Sequence, residues 1–254
     1  MFLTEQVLAA RRRLSDGLEL CPRAYIGVMR MRYRNTPNFN RIVSPQTDLI
    51  IEGFPRCANS FAVRAFRMAN DAEATTRIAT HFHSPANILP GLRWRIPALV
   101  LTRHPDDAVV SFPALAIQLN KHGFARASEA VLLRQIRYWT RRYIQFYQRL
   151  QPVRDELAVA DFTETTSDFG AVIQRVNTRF GTNFRPFEHS AGNVDQVMTR
   201  HGPHLAPSAE RDAIKQRLQK LYHADHNNSL RAEAVAAHQR FLAGRVPPGE
   251  VVAP

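Results

Sequence analysis

The chain has 254 residues, 44% of them hydrophobic, and its 34 lysines and arginines outnumber 22 acidic residues to give a net charge of +12. That length suits one α/β domain with a sizeable core. No stretch reaches the roughly 18 uninterrupted apolar residues of a membrane span, and Cys21 and Cys57 are too few for a disulfide framework or a zinc site. The positive excess favours an anionic partner (nucleic acid, acidic lipid or a polyanionic small molecule) without choosing among them, and a basic solvated surface would account for it equally. Arg11, Arg12 and Arg13 follow a weakly apolar start, the reverse of a secretory leader, so a soluble protein of a reducing cytoplasm is expected.

Residues 1–47 read as a helical and irregular lead-in that packs on the main domain. A short helical pattern (Phe2, Val7, Leu8, Leu14) gives way to a basic stretch, 30–41, with Pro37 and Pro45 marking it as irregular. At Asp48 the pattern changes. Leu49, Ile50 and Ile51 predict a buried strand closed by Gly53 and Pro55, and Phe61, Arg64, Ala65 and Met68 predict a helix over 60–70. Further strands are predicted at 77–82 and 97–102, the second followed by Pro105, Asp106 and Asp107, which suit a first helical turn. Ser128 can cap a helix reaching residue 150, with Leu132, Ile136, Trp139, Tyr143, Phe146 and Leu150 as its apolar stripe. A strand at 157–160 and a capped helix over 167–180, ended by Gly181, come next; beyond Pro207 the pattern is helical and polar. Strands separated by helices imply an α/β fold, a three-layer sandwich with a central parallel sheet over 48–245, leaving 246–254 as a flexible tail. Ligands of such sheets gather beyond the carboxyl ends of the strands, here after Ile51, Thr80 and Leu101.

Gly53 to Ser60 keeps the spacing of the phosphate-binding loop G-x-x-x-x-G-K-S/T, with Ala58 at the second glycine and Asn59 at the lysine. A strand, this loop and a helix start aim backbone N–H groups and a positive helix end at an anion; Arg56, Asn59 and Ser60 add donors. The missing lysine argues against ordinary magnesium-nucleotide chemistry. The plain alternative is a strand-to-helix turn in which Ser60 is only a cap. After the third strand, Arg103 stands at the strand end and Ser111 two turns into the next helix, a pair suited to a second phosphate; alternatively Arg103 merely pairs with Asp106 or Asp107.

In this order the two loops resemble the PAPS-dependent sulfotransferase family, in a divergent, bacterial-like branch. Pro55, Arg56, Cys57, Ala58, Asn59, Ser60 and Phe61 align without a gap on its 5′-phosphosulfate loop, P-K/R-S-G-T-T-W/F. Arg103, Asp107 and Ser111 fall on its 3′-phosphate motif, R-N/D-x-x-D-x-x-x-S. His81, Phe82, His83, Ser84 and Pro85, then Leu89 and Pro90, keep the spacing of K-T-H-L-P and the second L-P of the cytosolic members. The likeness covers residues 48–115; Cys57, Ala58 and His81 depart from it, and the family's carboxyl-terminal R-K-G-x-x-G is missing.

The resemblance implies a P-loop NTPase-like fold and transfer of the sulfuryl group of PAPS to a hydroxyl or amine, releasing adenosine 3′,5′-bisphosphate without a metal. Arg56, Cys57, Ala58, Asn59, Ser60 and Phe61 would hold the 5′ side, Arg56 also acting as a catalytic residue that stabilises the departing bisphosphate, with Phe61 either on the adenine or in the core. Arg103 and Ser111 would hold the 3′-phosphate, and the family spacing selects His83 as base with His81 as runner-up. An extended segment would put both histidines on one face. A small-molecule, lipid or carbohydrate acceptor is expected, its pocket shaped by 118–127 and the carboxyl third; nucleic acid is not expected as a partner. The competing readings are a P-loop kinase or NTPase, and a non-catalytic polyanion binder resting on the net charge and on Arg134, Arg137, Arg141, Arg142 and Arg149 of one helix.

Overall fold

The computed structural model describes residues 2–70, 76–119, 127–199 and 208–243. Residues 120–126 of the expected acceptor loop and the expected tail, 246–254, lie outside them. The chain opens with helices α1 (Phe2–Glu19) and α2 (Pro22–Tyr33), so the basic stretch 30–41, expected to be irregular, begins inside a helix that runs as far as Tyr33. Pro22 fills a first-turn position where its missing N–H costs nothing, Arg30 and Arg32 oppose the negative helix end, and Tyr25 and Ile26 are buried. A 3-10 turn at Pro37–Arg41 follows.

Next come β1 (Leu49–Gly53), α3 (Asn59–Asn70), β2 (Ile78–Thr80), α4 (Leu89–Arg93), β3 (Ala98–Thr102), α5 (Pro105–Gln118), α6 (Glu129–Leu150) and β4 (Ala158–Asp161). Helices α7 (Phe162–Ser167), α8 (Phe169–Phe180), α9 (Ala191–Thr199), α10 (Ala209–Tyr222) and α11 (Asn228–Ala243) complete the described chain. The four strands form one all-parallel sheet in the order β2-β1-β3-β4. Every residue of β1 and β3 is buried, and because successive side chains alternate across a sheet, both faces are covered. The fold is therefore α/β with a central parallel sheet.

Local chemistry explains the boundaries. Strand β2 stops at Thr80, short of the expected 82, because His81 and His83 take positive φ and leave the extended region. The helix expected over 167–180 is α8, capped by Asp168 through Ala171 N–H, and an unexpected short helix, α7, precedes it with a capping box formed by Asp161 and Glu164. Gly181, at φ 65°, ends α8 as predicted. In α6 the expected stripe faces inward, with Ile136, Tyr143, Phe146 and Leu150 buried, although Ser128 stands at the N-cap without a side-chain bond. Polar joints fasten α1 to α6: Arg142 donates to both oxygens of buried Glu19 at 2.8 Å and pairs with Asp16 at 3.1 Å.

Candidate functional site

The carboxyl ends of β1, β2 and β3 lie side by side, with Ile51 paired to Thr80 and Gly53 to Leu101. Gly53 is required by this packing, since a Cβ there would lie 2.4 Å from the Leu101 carbonyl oxygen. Beyond it Arg56 and Ala58 adopt left-handed backbone (φ 71° and 65°) while Cys57 between them does not. Alternation of this kind can gather backbone N–H groups toward an anion, although here the Cys57 N–H donates to the Phe54 carbonyl at 3.3 Å. The N–H groups of Asn59, Ser60 and Phe61 open α3 and have no intrahelical acceptor, the first helical bond being Ala62 N–H to Ala58 O.

The arginines predicted from the two separate loops meet here. Arg56 Nε donates to Ser111 Oγ at 3.2 Å, and Arg103 Nη1 donates to the Arg56 carbonyl at 3.3 Å. Arg103 also stacks on Phe162, 4.0 Å from the ring centroid, and Tyr143 donates its hydroxyl to the Arg103 carbonyl at 2.7 Å. Arg103 reaches Asp107 at 3.7 Å, but that carboxylate is 53% exposed, so the pair is weak, and Arg103 Nε is buried with no acceptor among the described residues. Burial lowers the Arg56 pKa, and the like charges of Arg211 and Arg103 lower it further. Arg211 had no signal in the sequence. It arrives from α10, buried, with Nε donating to Gln118 Oε1 of α5 at 2.7 Å. Three half-buried or buried guanidiniums thus converge on one loop.

Three side chains of the predicted loop turn away from it. Cys57 is fully buried against the Tyr147 hydroxyl, 3.7 Å from its sulfur. Asn59 spends its amide on the Phe54 carbonyl at 3.0 Å. Phe61 packs edge-on against Phe169 and Phe187 at 4% exposure, which supports the core alternative over a stacking platform.

The two histidines do not lie on an extended segment, yet their rings are 5.9 Å apart. Both nitrogens of His81 are engaged, Nδ1 with Thr80 Oγ1 at 2.9 Å and Nε2 with Ser60 Oγ at 3.0 Å. Burial, helped by the charges of His83, Arg41, Arg64 and Arg67, pushes its pKa down to about 3, so it is neutral. His83 differs. Its Nδ1 lies 2.8 Å from the Gly53 carbonyl, which can only accept, so Nδ1 carries a proton and, in the neutral tautomer, the lone pair is on Nε2.

Glu52 underlies this segment. Its fully buried carboxylate accepts from Phe82 N–H (2.9 Å), His83 N–H (3.1 Å) and Asn87 Nδ2 (3.0 Å), and stands 3.9 Å from His83 Nδ1. Burial raises its pKa, opposed by His83 and these donors. An acid inside an otherwise apolar strand was the signal that could have found it. Among the described residues no group of three or more potential metal ligands occurs. A cavity of about 340 Å³ lies elsewhere, between Asp16, Glu19 and Leu20 and the Arg142 and Arg149 side chains, and none of the loop residues 53–60 lines it. Comparison with family models, with curated proteins and with solved structures finds no match to this chain.

Proposed function

We propose that this chain is a sulfotransferase of the P-loop-type fold, binding PAPS at the carboxyl ends of β1 and β3 and passing its sulfuryl group to an acceptor hydroxyl or amine. The observation that carries the reading is the meeting of Arg56, Ser111 and Arg103 around a left-handed loop at a helix start. Two sequence stretches 47 residues apart supply one cationic cluster, and the orphan Arg103 Nε gives it a donor still to be satisfied. Mutually repelling guanidiniums in a partly buried site are relieved by a polyanion, and forked donors match phosphate oxygens. A nucleoside triphosphate fits less well, because the position of the phosphate-binding lysine is held by Asn59, whose amide is committed to Phe54.

Bound PAPS would supply an activated sulfuryl group whose departure leaves negative charge on the bisphosphate. Arg56 and the α3 amides are positioned to stabilise that charge. Arg103 and Ser111 would hold the second phosphate, with Arg211 adding positive potential where the family's glycine-rich segment is missing. His83 accepts the acceptor's proton on Nε2 while Gly53 O and Glu52 orient its ring. His81, neutral and bonded at both nitrogens, is a positioning residue that ties β2 to Ser60.

The test is thermal unfolding with adenosine 3′,5′-bisphosphate or ATP, each without magnesium, followed by turnover of PAPS. The bisphosphate should raise Tm far more than ATP; His83→Ala should keep that shift and lose about 10²–10⁴-fold in rate. Equal shifts for both nucleotides would reject the donor, and full activity of His83→Ala would reject the base.

A further inference from the structure

The large apolar side chains exposed among the described residues lie on neighbouring elements. They are Val7, Leu14, Leu20, Val28, Met31 and Trp94. The first five belong to α1, α2 and the turn between them, and Trp94 ends α4, which packs against α2. Leu14, Leu20 and Met31 are 75%, 72% and 69% exposed. Scattered exposed leucines are ordinary, but a concentration of this kind marks a contact surface. The smaller exposed residues extend it: Ala24, Gly27, Val28 and Met31 share one face of α2, as Val7, Ala10, Leu14 and Gly17 share one face of α1.

Among the described side chains, the exposed charges around this face are of one sign. Arg13, Arg23, Arg32 and Arg34 are exposed on the hairpin and its exit, and Arg93 and Arg95 flank Trp94. Asp16 and Glu19 are turned inward onto Arg142. A second copy of the chain would bring arginine against arginine, and a nucleic acid offers no apolar phase for Leu14 or Met31. An anionic bilayer satisfies both halves: phosphates meet guanidiniums, and Leu, Met and Trp side chains enter the headgroup boundary, where Trp favours its mixed surroundings.

We propose that the α1–α2–α4 face docks peripherally on the surface of an anionic lipid bilayer. No helix among the described residues is long and apolar enough to cross a membrane, so the contact is along the surface. This assignment is independent of the reaction proposed above. It does place the contact next in the chain to the catalytic segment, since the turn Pro85–Asn87 and α4 directly follow His83.

The two tryptophans make the test direct, because Trp139 already packs on Phe112 and Phe54 and leaves Trp94 as the reporter. The full chain is titrated with vesicles of pure phosphatidylglycerol and of pure phosphatidylcholine, reading tryptophan emission and co-sedimentation. Binding and a blue shift are expected with phosphatidylglycerol and neither with phosphatidylcholine. The triple variant Leu14→Ser, Leu20→Ser, Met31→Ser should melt like the wild type and bind phosphatidylglycerol at least about tenfold more weakly. Trp94→Phe should still sediment but lose the blue shift. The proposal is overturned by absence of sedimentation at low salt, or by a triple variant that binds vesicles as the wild type does. It is equally overturned by a Trp94 blue shift on duplex RNA alone, or by concentration-dependent self-association that the triple variant abolishes.

Discussion

Replacing Glu52 by alanine removes the acceptor of three hydrogen bonds at once, and the structure says how much that should cost. Asn87 is fully buried; its Nδ2 keeps its bond to the Arg41 carbonyl at 3.2 Å, but its second hydrogen loses its acceptor at a desolvation cost of about 1–3 kcal/mol. The N–H groups of half-buried Phe82 and His83 reach water more readily and lose about 0.5–1.5 kcal/mol each. The sum is roughly 2–6 kcal/mol, reduced by relief of a buried charge. At about 2–4 °C per kcal/mol for a chain of this size, Tm should fall by on the order of 10 °C. Glu52→Gln retains one carbonyl oxygen but turns an amide donor on the His83 side, so its Tm should lie between alanine and wild type. The loop also holds His81 and His83 at φ 63° and 53°, conformations that cost about 1–2 kcal/mol each outside glycine. Freed of Glu52 they should relax, moving the His83 imidazole, so kcat should fall for both variants while the bisphosphate-induced Tm shift persists. The pH dependence separates this from simple instability. Burial raises the Glu52 pKa above its ordinary 4.5, so its ionisation destabilises the folded state as pH rises from 4.5 to the raised value, and Glu52→Gln should lose that part of the slope. Thermal melts, denaturant midpoints across acid pH and PAPS turnover measure all three effects. A Glu52→Ala protein that melts and turns over like the wild type would refute the clamp.

Two other perturbations concern the same region. His81 is held neutral with its pKa pushed down to about 3, so its contribution to stability is complete above its ordinary 6.5 and is lost as pH falls from there toward 3. His81→Gln should flatten that acid limb in denaturant midpoints measured at neutral and mildly acidic pH; an unchanged limb would show that another group controls it. Gly53→Ala would press a Cβ to 2.4 Å from the Leu101 carbonyl and should cost about 1–3 kcal/mol or more, read as a fall in Tm; a neutral result would mean that β1 and β3 separate easily.

The elements that position the site were legible because each carries a strong local signal. Apolar runs bounded by Gly53 and by Pro105 marked β1 and β3, and the four- and three-residue spacing in α6 marked its buried stripe. Helix α2 was hidden because arginines at 23, 30 and 32 masked a narrow inward face of Tyr25, Ile26, Met29 and Tyr33. Arg56, Arg103 and Ser111 were found one loop at a time, and their direct contact follows from the neighbouring register of β1 and β3. Arg211 depends on α10 packing on α5, a long-range pairing with no local pattern. The contrast between the two histidines likewise follows from their neighbours: Thr80 and Ser60 engage both nitrogens of His81, whereas the Gly53 carbonyl engages only Nδ1 of His83.

The central claim is that Arg56 and Arg103 grip one doubly phosphorylated nucleotide. Calorimetric titration with adenosine 3′,5′-bisphosphate and with adenosine 5′-monophosphate, on the wild type and on Arg103→Ala, tests it most directly. The wild type should prefer the bisphosphate by at least about tenfold, as a charge-assisted contact of some 1.5–3 kcal/mol implies, and Arg103→Ala should bind the two nearly alike. Equal affinity of the wild type for both nucleotides, or a preference that survives Arg103→Ala, would contradict it.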